Sequence, residues 1–146
     1  MARIESSVLV SKSVEETFSF LDTPENHAKF IPNTIEFNKT SAGPFGRVGA
    51  TARGVLRFLG QKVDIPYEII EYKQNHSLAM KGLLGPITFK DGYVLVPKED
   101  GTQIKFWLEL TMQGLVKIFS PFKGLIGRIH AVETLTNLKK VLERTE

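Results

Sequence analysis

The sequence contains no cysteine among its 146 residues. This absence excludes a disulfide scaffold, a thiol nucleophile, an iron–sulfur cluster and a cysteine-ligated zinc site. No apolar run approaches the roughly 18 residues of a membrane-spanning helix. Only three histidines are present, His27, His76 and His130, and no two of them have the spacing of metal ligands on a helix. We therefore expect neither a metal site nor a cofactor.

Composition and length predict one globular domain that covers residues 1–146. Hydrophobic residues make up 42% of the chain and charged residues 24%, which is ordinary for a soluble protein. A chain of this size buries about two-thirds of its surface on folding, which is enough to form a stable core without disulfide bonds or a structural metal ion. The first five residues lack the apolar core of a signal peptide, so we expect a cytoplasmic location.

Hydrophobic periodicity predicts a strand, two short helices, six strands and a long helix, in that order. Residues 3–11 alternate as a strand does. Ser13 and Glu16 have the spacing of a capping box, and Thr23-Pro24 begins a second short helix. Ser120-Pro121 resembles the start of the C-terminal helix. The six further strands are predicted near 34–41, 48–59, 62–73, 76–84, 86–97 and 102–112.

The short breaks between these strands imply antiparallel hairpins, because parallel neighbours need much longer connections. Helices that are segregated from an antiparallel sheet define the α+β class. Pro66 lacks a backbone donor, so its strand should be bulged or near an edge there. One helix covers only one face of a curved seven-stranded sheet, and this arrangement predicts a cavity between the two.

Strand alternation predicts which side chains line that cavity. In each strand the set that holds most aromatic and aliphatic residues is taken as inward. A bulge or a register slip would invert any one of these assignments. The predicted inward residues are Phe37, Leu56, Phe58, Ile65, Tyr67, Ile69, Leu78, Met80, Phe89, Asp91, Tyr93, Phe106 and Leu108.

A carboxylate among these inward residues is unusual, because an isolated buried charge is costly. Two interpretations of Asp91 are open. Either it points into the cavity, or Gly92 marks a bulge that turns it to solvent. Arg128 lies near the middle of a first apolar arc of the C-terminal helix, which contains Leu125, Ala131, Val132, Leu135, Leu138 and Leu142. It would either meet Asp91 or a ligand carboxylate inside the cavity, or extend to solvent along the helix edge.

Excess positive charge is confined to the C-terminal segment, since residues 1–113 hold thirteen basic and thirteen acidic residues. From Gly114 to Val132 there is no acidic residue. A second apolar arc of the helix contains Phe122, Ile126 and Ile129. This arc is predicted to form a dimer contact, a lid or a membrane-touching patch, unless it is only a solvated face.

Motifs of several common enzyme classes are absent. The glycines at 43, 46 and 49 join two strands, whereas phosphate-binding loops lead from a strand into a helix. No G-x-S-x-G elbow of a hydrolase is present. Basic residues on the predicted outer sheet face are isolated, so we do not expect nucleic-acid binding.

Several segments together resemble one superfamily. They are Val14-Glu15-Glu16-Thr17-Phe18-Ser19-Phe20-Leu21 after the first strand, the prolines at 24 and 32, Gly46-Arg47-Val48-Gly49-Ala50-Thr51, Tyr93-Val94-Leu95-Val96-Pro97 leading to Asp100-Gly101-Thr102, and Thr136-Asn137-Leu138-Lys139-Lys140-Val141-Leu142-Glu143. The chain is similar to START/Bet v 1-like (SRPBCC) proteins, on the side of the polyketide cyclase/dehydrase proteins and of the subunit associated with carbon monoxide dehydrogenase.

The resemblance implies a helix-grip fold, in which a seven-stranded antiparallel sheet grips the C-terminal helix around an apolar tunnel. It also implies binding of lipids, sterols, polyketides or hormones, with cyclase or hydratase activity in some relatives. It supplies no family-wide catalytic residue.

Three hypotheses about function follow. The first is binding of a small hydrophobic molecule by a monomer or homodimer. The second is a cyclase/dehydratase-type enzyme with Asp91 or Tyr93 as general acid or base. The third is an interaction module that uses residues 115–129 against a partner or an anionic bilayer. The candidate ligand-binding residues are Phe37, Phe58, Tyr67, Met80, Phe89, Asp91, Tyr93, Phe106, Leu108 and Arg128.

Overall fold

Seven antiparallel strands form one sheet in the order β1-β7-β6-β5-β4-β3-β2. The structure is a computed structural model and describes residues 3–144. Each strand alternates polar and apolar side chains, so one face of the sheet carries most of the core. The strands are β1 (Ile4–Val10), β2 (Thr34–Lys39), β3 (Thr51–Phe58), β4 (Gln61–Lys73), β5 (Ser77–Leu84), β6 (Ile87–Lys98) and β7 (Gly101–Met112).

Helices connect the first two strands and follow the last one. Helix α1 (Val14–Leu21) begins with the predicted capping box, in which Ser13 and Glu16 each accept from the other's backbone N–H. A 3₁₀ helix, Pro24–Lys29, follows it. After β7 comes a second 3₁₀ helix, Gly114–Phe122, and then α2 (Lys123–Arg144). The α-helix therefore begins two residues after Pro121, which lies inside the 3₁₀ segment.

This architecture confirms the predicted α+β, helix-grip class: a curved seven-stranded sheet with a long C-terminal helix. The prediction for Pro66 is also confirmed. Pairing between β4 and β5 begins at Tyr67, so the part of β4 from Gln61 to Pro66 is paired only with β3. The missing donor of Pro66 therefore falls outside the ladder with β5. The turn between β3 and β4 extends beyond the rest of the sheet as a two-stranded arm.

Small residues let α2 approach the sheet closely at one point. Gly127 and Ala131 are buried one turn apart on the helix. A Cβ atom on Gly127 would lie 2.2 Å from Cδ1 of Ile4 on β1. The first turns of α2 consequently pack against the β1–β7 edge of the sheet. The C-terminal half of the helix completes the core with Leu135, Leu138 and Leu142.

Candidate functional site

Asp91 lies on the concave face, in the middle of β6. Its direct cross-strand neighbours are Met80 on β5 and Leu108 on β7, both apolar and buried. The register is continuous on both sides of Gly92, so no bulge turns the carboxyl outward. Asp91 is 8% exposed, and its Oδ1 has no hydrogen-bond partner. Asp91 therefore faces the core, and the interpretation that a bulge turns it to solvent is wrong.

Burial governs the ionisation of this carboxyl. Desolvation raises the pKa of Asp91 from 3.8 to about 7. Among residues 3–144, no cation offsets this effect, because burial is the cause of the shift and no ion pair reaches Asp91. The carboxyl is thus about half protonated near neutral pH, a state in which it can donate or accept a proton.

Two tyrosines flank the carboxyl on the same face. Burial raises the pKa of Tyr67 and of Tyr93, and the negative charge of Asp91 adds to the shift of each. Both hydroxyls therefore keep their protons over the physiological pH range. Asp91, Tyr67 and Tyr93, here called the Asp91 cluster, place one titrating group between two permanent hydrogen-bond donors.

His27 is a further buried polar group that the sequence did not single out. It is fully buried in the 3₁₀ helix after α1, and its Nε2 lies 2.7 Å from the carbonyl oxygen of Leu21. A carbonyl only accepts, so Nε2 carries the proton and Nδ1 presents a lone pair, which has no partner. Burial lowers the pKa of His27 to about 4. The position of His27 in the sequence, far from other histidines, does not predict a metal site or a catalytic role.

Aromatic rings close the part of the concave face behind the Asp91 cluster. His27 stacks on Phe37 at 4.9 Å between ring centroids and meets the edge of Tyr93 at 6.3 Å. Tyr93 in turn packs on Phe106 at 5.1 Å. Phe37, Met80, Tyr93 and Phe106 are each 0–2% exposed. These four predicted wall residues therefore belong to a closed inner half of the core.

Exposure rises along the concave face from Asp91 toward the turn between β5 and β6. On β6, Tyr93 and Asp91 are buried, whereas Phe89 is half-buried. On β7, Leu108 is buried, whereas Leu110 is half-buried. Leu56 on β3 and Leu84 on β5 are half-buried and pack against the same core. The side chains of Leu56, Leu84, Phe89 and Leu110 define the open half of the concave face, and Asp91 lies at its inner limit.

Two predicted site residues lie elsewhere. Phe58 shares the parity of the inward set but is 59% exposed, because it stands on the two-stranded arm beyond the core. Arg128 is exposed on α2, next to buried Gly127, and lines a shallow surface groove with Leu125 and Ile129. Of the two interpretations of Arg128, the one that extends it to solvent is correct, since the small face of α2 turns toward the sheet and carries Arg128 outward.

Among residues 3–144, no three His, Asp or Glu side chains are grouped closely enough to hold a metal ion. No helix in that part of the chain is both long enough and apolar enough to cross a bilayer. His130, on α2, is half-buried with its ring 6.4 Å from that of Phe106. The Asp91 cluster therefore provides one carboxyl that exchanges a proton near neutral pH and two phenolic hydrogen-bond donors. The apolar side chains of the open half of the concave face lie beside them.

Solved structures with this architecture come from several bacteria. A Thermus thermophilus protein matches with a TM-score of 0.77 at 13% identity, covering 99% of both chains. The Zhui aromatase/cyclase from a Streptomyces species matches with a TM-score of 0.77 at 12% identity, covering 98% of this chain and 94% of its own. A conserved Geobacillus kaustophilus protein has a TM-score of 0.76 at 18% identity, covering 99% of this chain and 97% of its own.

These identities show a shared fold. No curated protein sequence matches the chain. The family model described as "Polyketide cyclase / dehydrase and lipid transport" matches residues 1–143. Because this match spans nearly the whole sequence, the chain belongs to the polyketide cyclase/dehydrase and lipid transport family.

Proposed function

We propose that the protein binds a small hydrophobic molecule whose hydroxyl or carbonyl group is held by the Asp91 cluster. The observation that carries this proposal is the unpartnered Oδ1 of Asp91 within an apolar row. A buried oxygen without a partner costs about 1–3 kcal/mol, and a ligand hydroxyl would remove that cost. The family description, which names polyketides and lipid transport, supports a ligand of this class.

The polar group of the ligand is neutral in this proposal. Arg128, the predicted partner for a ligand carboxylate, is exposed on α2. Asp91 is about half ionised near pH 7, so a second carboxylate beside it would meet like charge in a medium of low dielectric constant. A hydroxyl donates to ionised Asp91, and a carbonyl accepts from protonated Asp91 or from a tyrosine.

The apolar body of the ligand occupies the open half of the concave face. Leu56, Leu84, Phe89 and Leu110 supply this apolar surface. Gly82 makes room for the ring of Phe89, which has an atom only 2.3 Å from the position of a Cβ on this glycine. The same ring contacts Tyr67 at 5.7 Å between centroids. Phe89 therefore joins the apolar surface to the polar end.

Binding of 1-naphthol is expected to be about tenfold tighter than binding of 1-methoxynaphthalene, since one additional hydrogen bond to a charged group is worth about 1.5 kcal/mol. Displacement of Nile red measures both probes. Asp91→Leu is expected to abolish the preference, and the exposed acid variant Asp64→Leu to retain it. Equal binding of the two probes by the native protein, or a preference that survives in Asp91→Leu, would contradict the proposal.

A second candidate function is catalysis on such a ligand. Its support is the pKa of about 7 at Asp91, which suits a general acid or base at neutral pH. One structural neighbour is named an aromatase/cyclase. In this proposal protonated Asp91 donates to a carbonyl or leaving hydroxyl of a polyketide, and Tyr93 orients it. If turnover exists, Asp91→Asn should lower kcat by about 100-fold, whereas retained turnover in Asp91→Asn and Tyr93→Phe would refute the assignment.

A further inference from the structure

Most of the strongly exposed large apolar side chains lie at one end of the sheet. That end is formed by the turn between β3 and β4, the turn between β5 and β6, and the 3₁₀ helix after β7. A hydrogen bond from the backbone N–H of Gln113 to the carbonyl of Pro86, 3.0 Å, holds the end of β7 to the second turn. We call these three chain segments, with the first turns of α2, the open end.

The apolar side chains of the open end are too exposed to belong to the core. Leu59 is 87% exposed, Leu115 95% and Ile118 74%. Phe58, Leu83, Phe122, Leu125, Ile126 and Ile129 are each about half exposed or more. Single exposed apolar residues are normal on a protein surface, but a group from three segments at one end indicates a binding surface.

Charge is segregated in the same way. Residues 57–62, 83–89 and 113–132 contain five lysines and arginines and no acidic residue. Since the whole chain has nineteen basic and sixteen acidic residues, the remainder holds fourteen basic and sixteen acidic ones. The open end is therefore basic, while the rest of the molecule carries a small excess of acidic residues. This asymmetry favours an anionic partner.

From these observations we infer that the open end docks on the surface of an anionic lipid bilayer. Leucine, isoleucine and phenylalanine side chains gain free energy by entering the interfacial region of a bilayer, and lysines beside them are attracted to anionic headgroups. A nucleic acid would match the charge but offers little to exposed aliphatic side chains. In the described part of the chain no helix is suited to span the bilayer, so the contact is peripheral.

Docking of this kind would place the open half of the concave face against the bilayer. The half-buried residues Leu84, Phe89 and Leu110 lead from the open end to Asp91. A hydrophobic ligand would then pass between bilayer and protein without crossing water. The docking surface itself consists of other residues, so it stands whether or not the proposed ligand binds.

Sedimentation with vesicles tests this inference. The protein is expected to bind vesicles of phosphatidylcholine mixed with phosphatidylglycerol, to bind pure phosphatidylcholine vesicles far more weakly, and to be released by salt. Leu115→Ser with Ile118→Ser, and separately Lys62→Glu with Lys117→Glu, should each weaken binding at least about tenfold. All four side chains are exposed, so the variants should retain the native circular dichroism spectrum.

Matched control variants come from the opposite end of the sheet. Val48→Ser removes an exposed apolar side chain from the loop before β3, and Lys98→Glu reverses an exposed charge at the end of β6. Both should bind vesicles as the native protein does. Absence of binding to anionic vesicles, equal losses in the controls, or a dimer in solution that the Leu115/Ile118 variant dissociates would overturn the inference. Displacement of Nile red by 1-naphthol without vesicles should be unchanged in that variant, which separates this inference from the proposed function.

Discussion

Replacing Asp91 by asparagine is expected to remove a contribution to stability that falls by about 4 kcal/mol between acidic and mildly alkaline pH. The unfolded chain holds this carboxyl at its ordinary pKa of 3.8, whereas burial raises the pKa to about 7 in the folded protein. Each tenfold change in proton affinity corresponds to about 1.4 kcal/mol. Asparagine has a similar shape and does not ionise, so the variant lacks this contribution.

The sign of this pH dependence follows from which state of the protein, folded or unfolded, binds more protons. Between about pH 4 and pH 7 the folded protein keeps the proton of Asp91, while the unfolded chain has released it. Because the folded state binds more protons at Asp91, the contribution of this residue to stability falls as the pH rises through this window and then levels off above pH 7. About 3 kcal/mol of the total is expected between pH 5 and pH 8.

Urea unfolding at pH 5 and pH 8 measures the effect as a difference between proteins. The free energy of unfolding of Asp91→Asn relative to the native protein should rise by about 3 kcal/mol from pH 5 to pH 8. Asp64→Asn alters an exposed carboxylate that is paired with Arg53 and serves as the control, with a much smaller change expected. A native protein and Asp91→Asn variant that respond in parallel would show that Asp91 is not buried as described.

Strand alternation predicts the face that carries the Asp91 cluster, provided that no bulge interrupts β6. Asp91 and Tyr93 share the parity of Phe89 and Leu95, and the continuous register keeps all of them on one face. The ambiguity came from Gly92, because a glycine inside a strand often marks a bulge. Here the indole of Trp107 occupies the space that a side chain would fill, with Nε1 only 2.5 Å from the position of a Cβ. This glycine makes room for a neighbour, a reason that local sequence does not reveal.

Periodicity placed the C-terminal half of α2 correctly and its N-terminal half incorrectly. Ala131, Leu135, Leu138 and Leu142 are buried as the first apolar arc predicts, but Leu125 and Val132 of that arc are exposed. Gly127 faces the sheet instead, because α2 lies so close to Ile4 that a side chain at this position would clash with it. The largest apolar residues therefore predict the wrong contact face for the first turns of α2, and the orientation of Arg128 follows from the position of Gly127 instead.

Phe58 shows that alternation along a strand does not by itself predict whether a side chain is buried. Parity determines the face on which a side chain lies, but burial depends on whether another element covers that point. The arm formed by the ends of β3 and β4 separates from β5 at Pro66 and extends beyond the core. Only the tertiary arrangement shows that this stretch of the concave face is uncovered. The same holds for His27, which is buried by aromatic residues distant in sequence, Phe37, Phe45 and Tyr93.

Acid is expected to destabilise the protein through His27. Burial lowers its pKa from 6.5 in the unfolded chain to about 4 in the folded protein. Between these values the unfolded chain binds a proton that the folded protein does not, so stability falls as the pH drops from about 6.5 to about 4. The expected loss is about 3 kcal/mol. The Asp91 contribution has the opposite sign over the same window, so the native profile conceals both.

Two variants separate these opposing contributions. His27→Phe keeps a ring on Phe37 but cannot ionise, and its stability should rise, not fall, as the pH is lowered from 6.5 to 4, because the Asp91 contribution is then no longer offset by that of His27. It loses the hydrogen bond to the carbonyl of Leu21, so it should be less stable than the native protein at pH 7, and the pH slope is the decisive quantity. Asp91→Asn should become more sensitive to acid than the native protein.

Urea unfolding at pH 4.5, 5.5 and 6.5 on the native protein, both single variants and the double variant completes the cycle. His76→Phe, a substitution of an exposed histidine, should leave the slope as it is in the native protein. The double variant should depend on pH about as weakly as the native protein in this window, since the two opposing contributions of Asp91 and His27 are removed together. If His27→Phe instead keeps the native slope, the imidazole takes up its proton without unfolding, and Nδ1 must then be open to water rather than enclosed by Phe37, Phe45 and Tyr93.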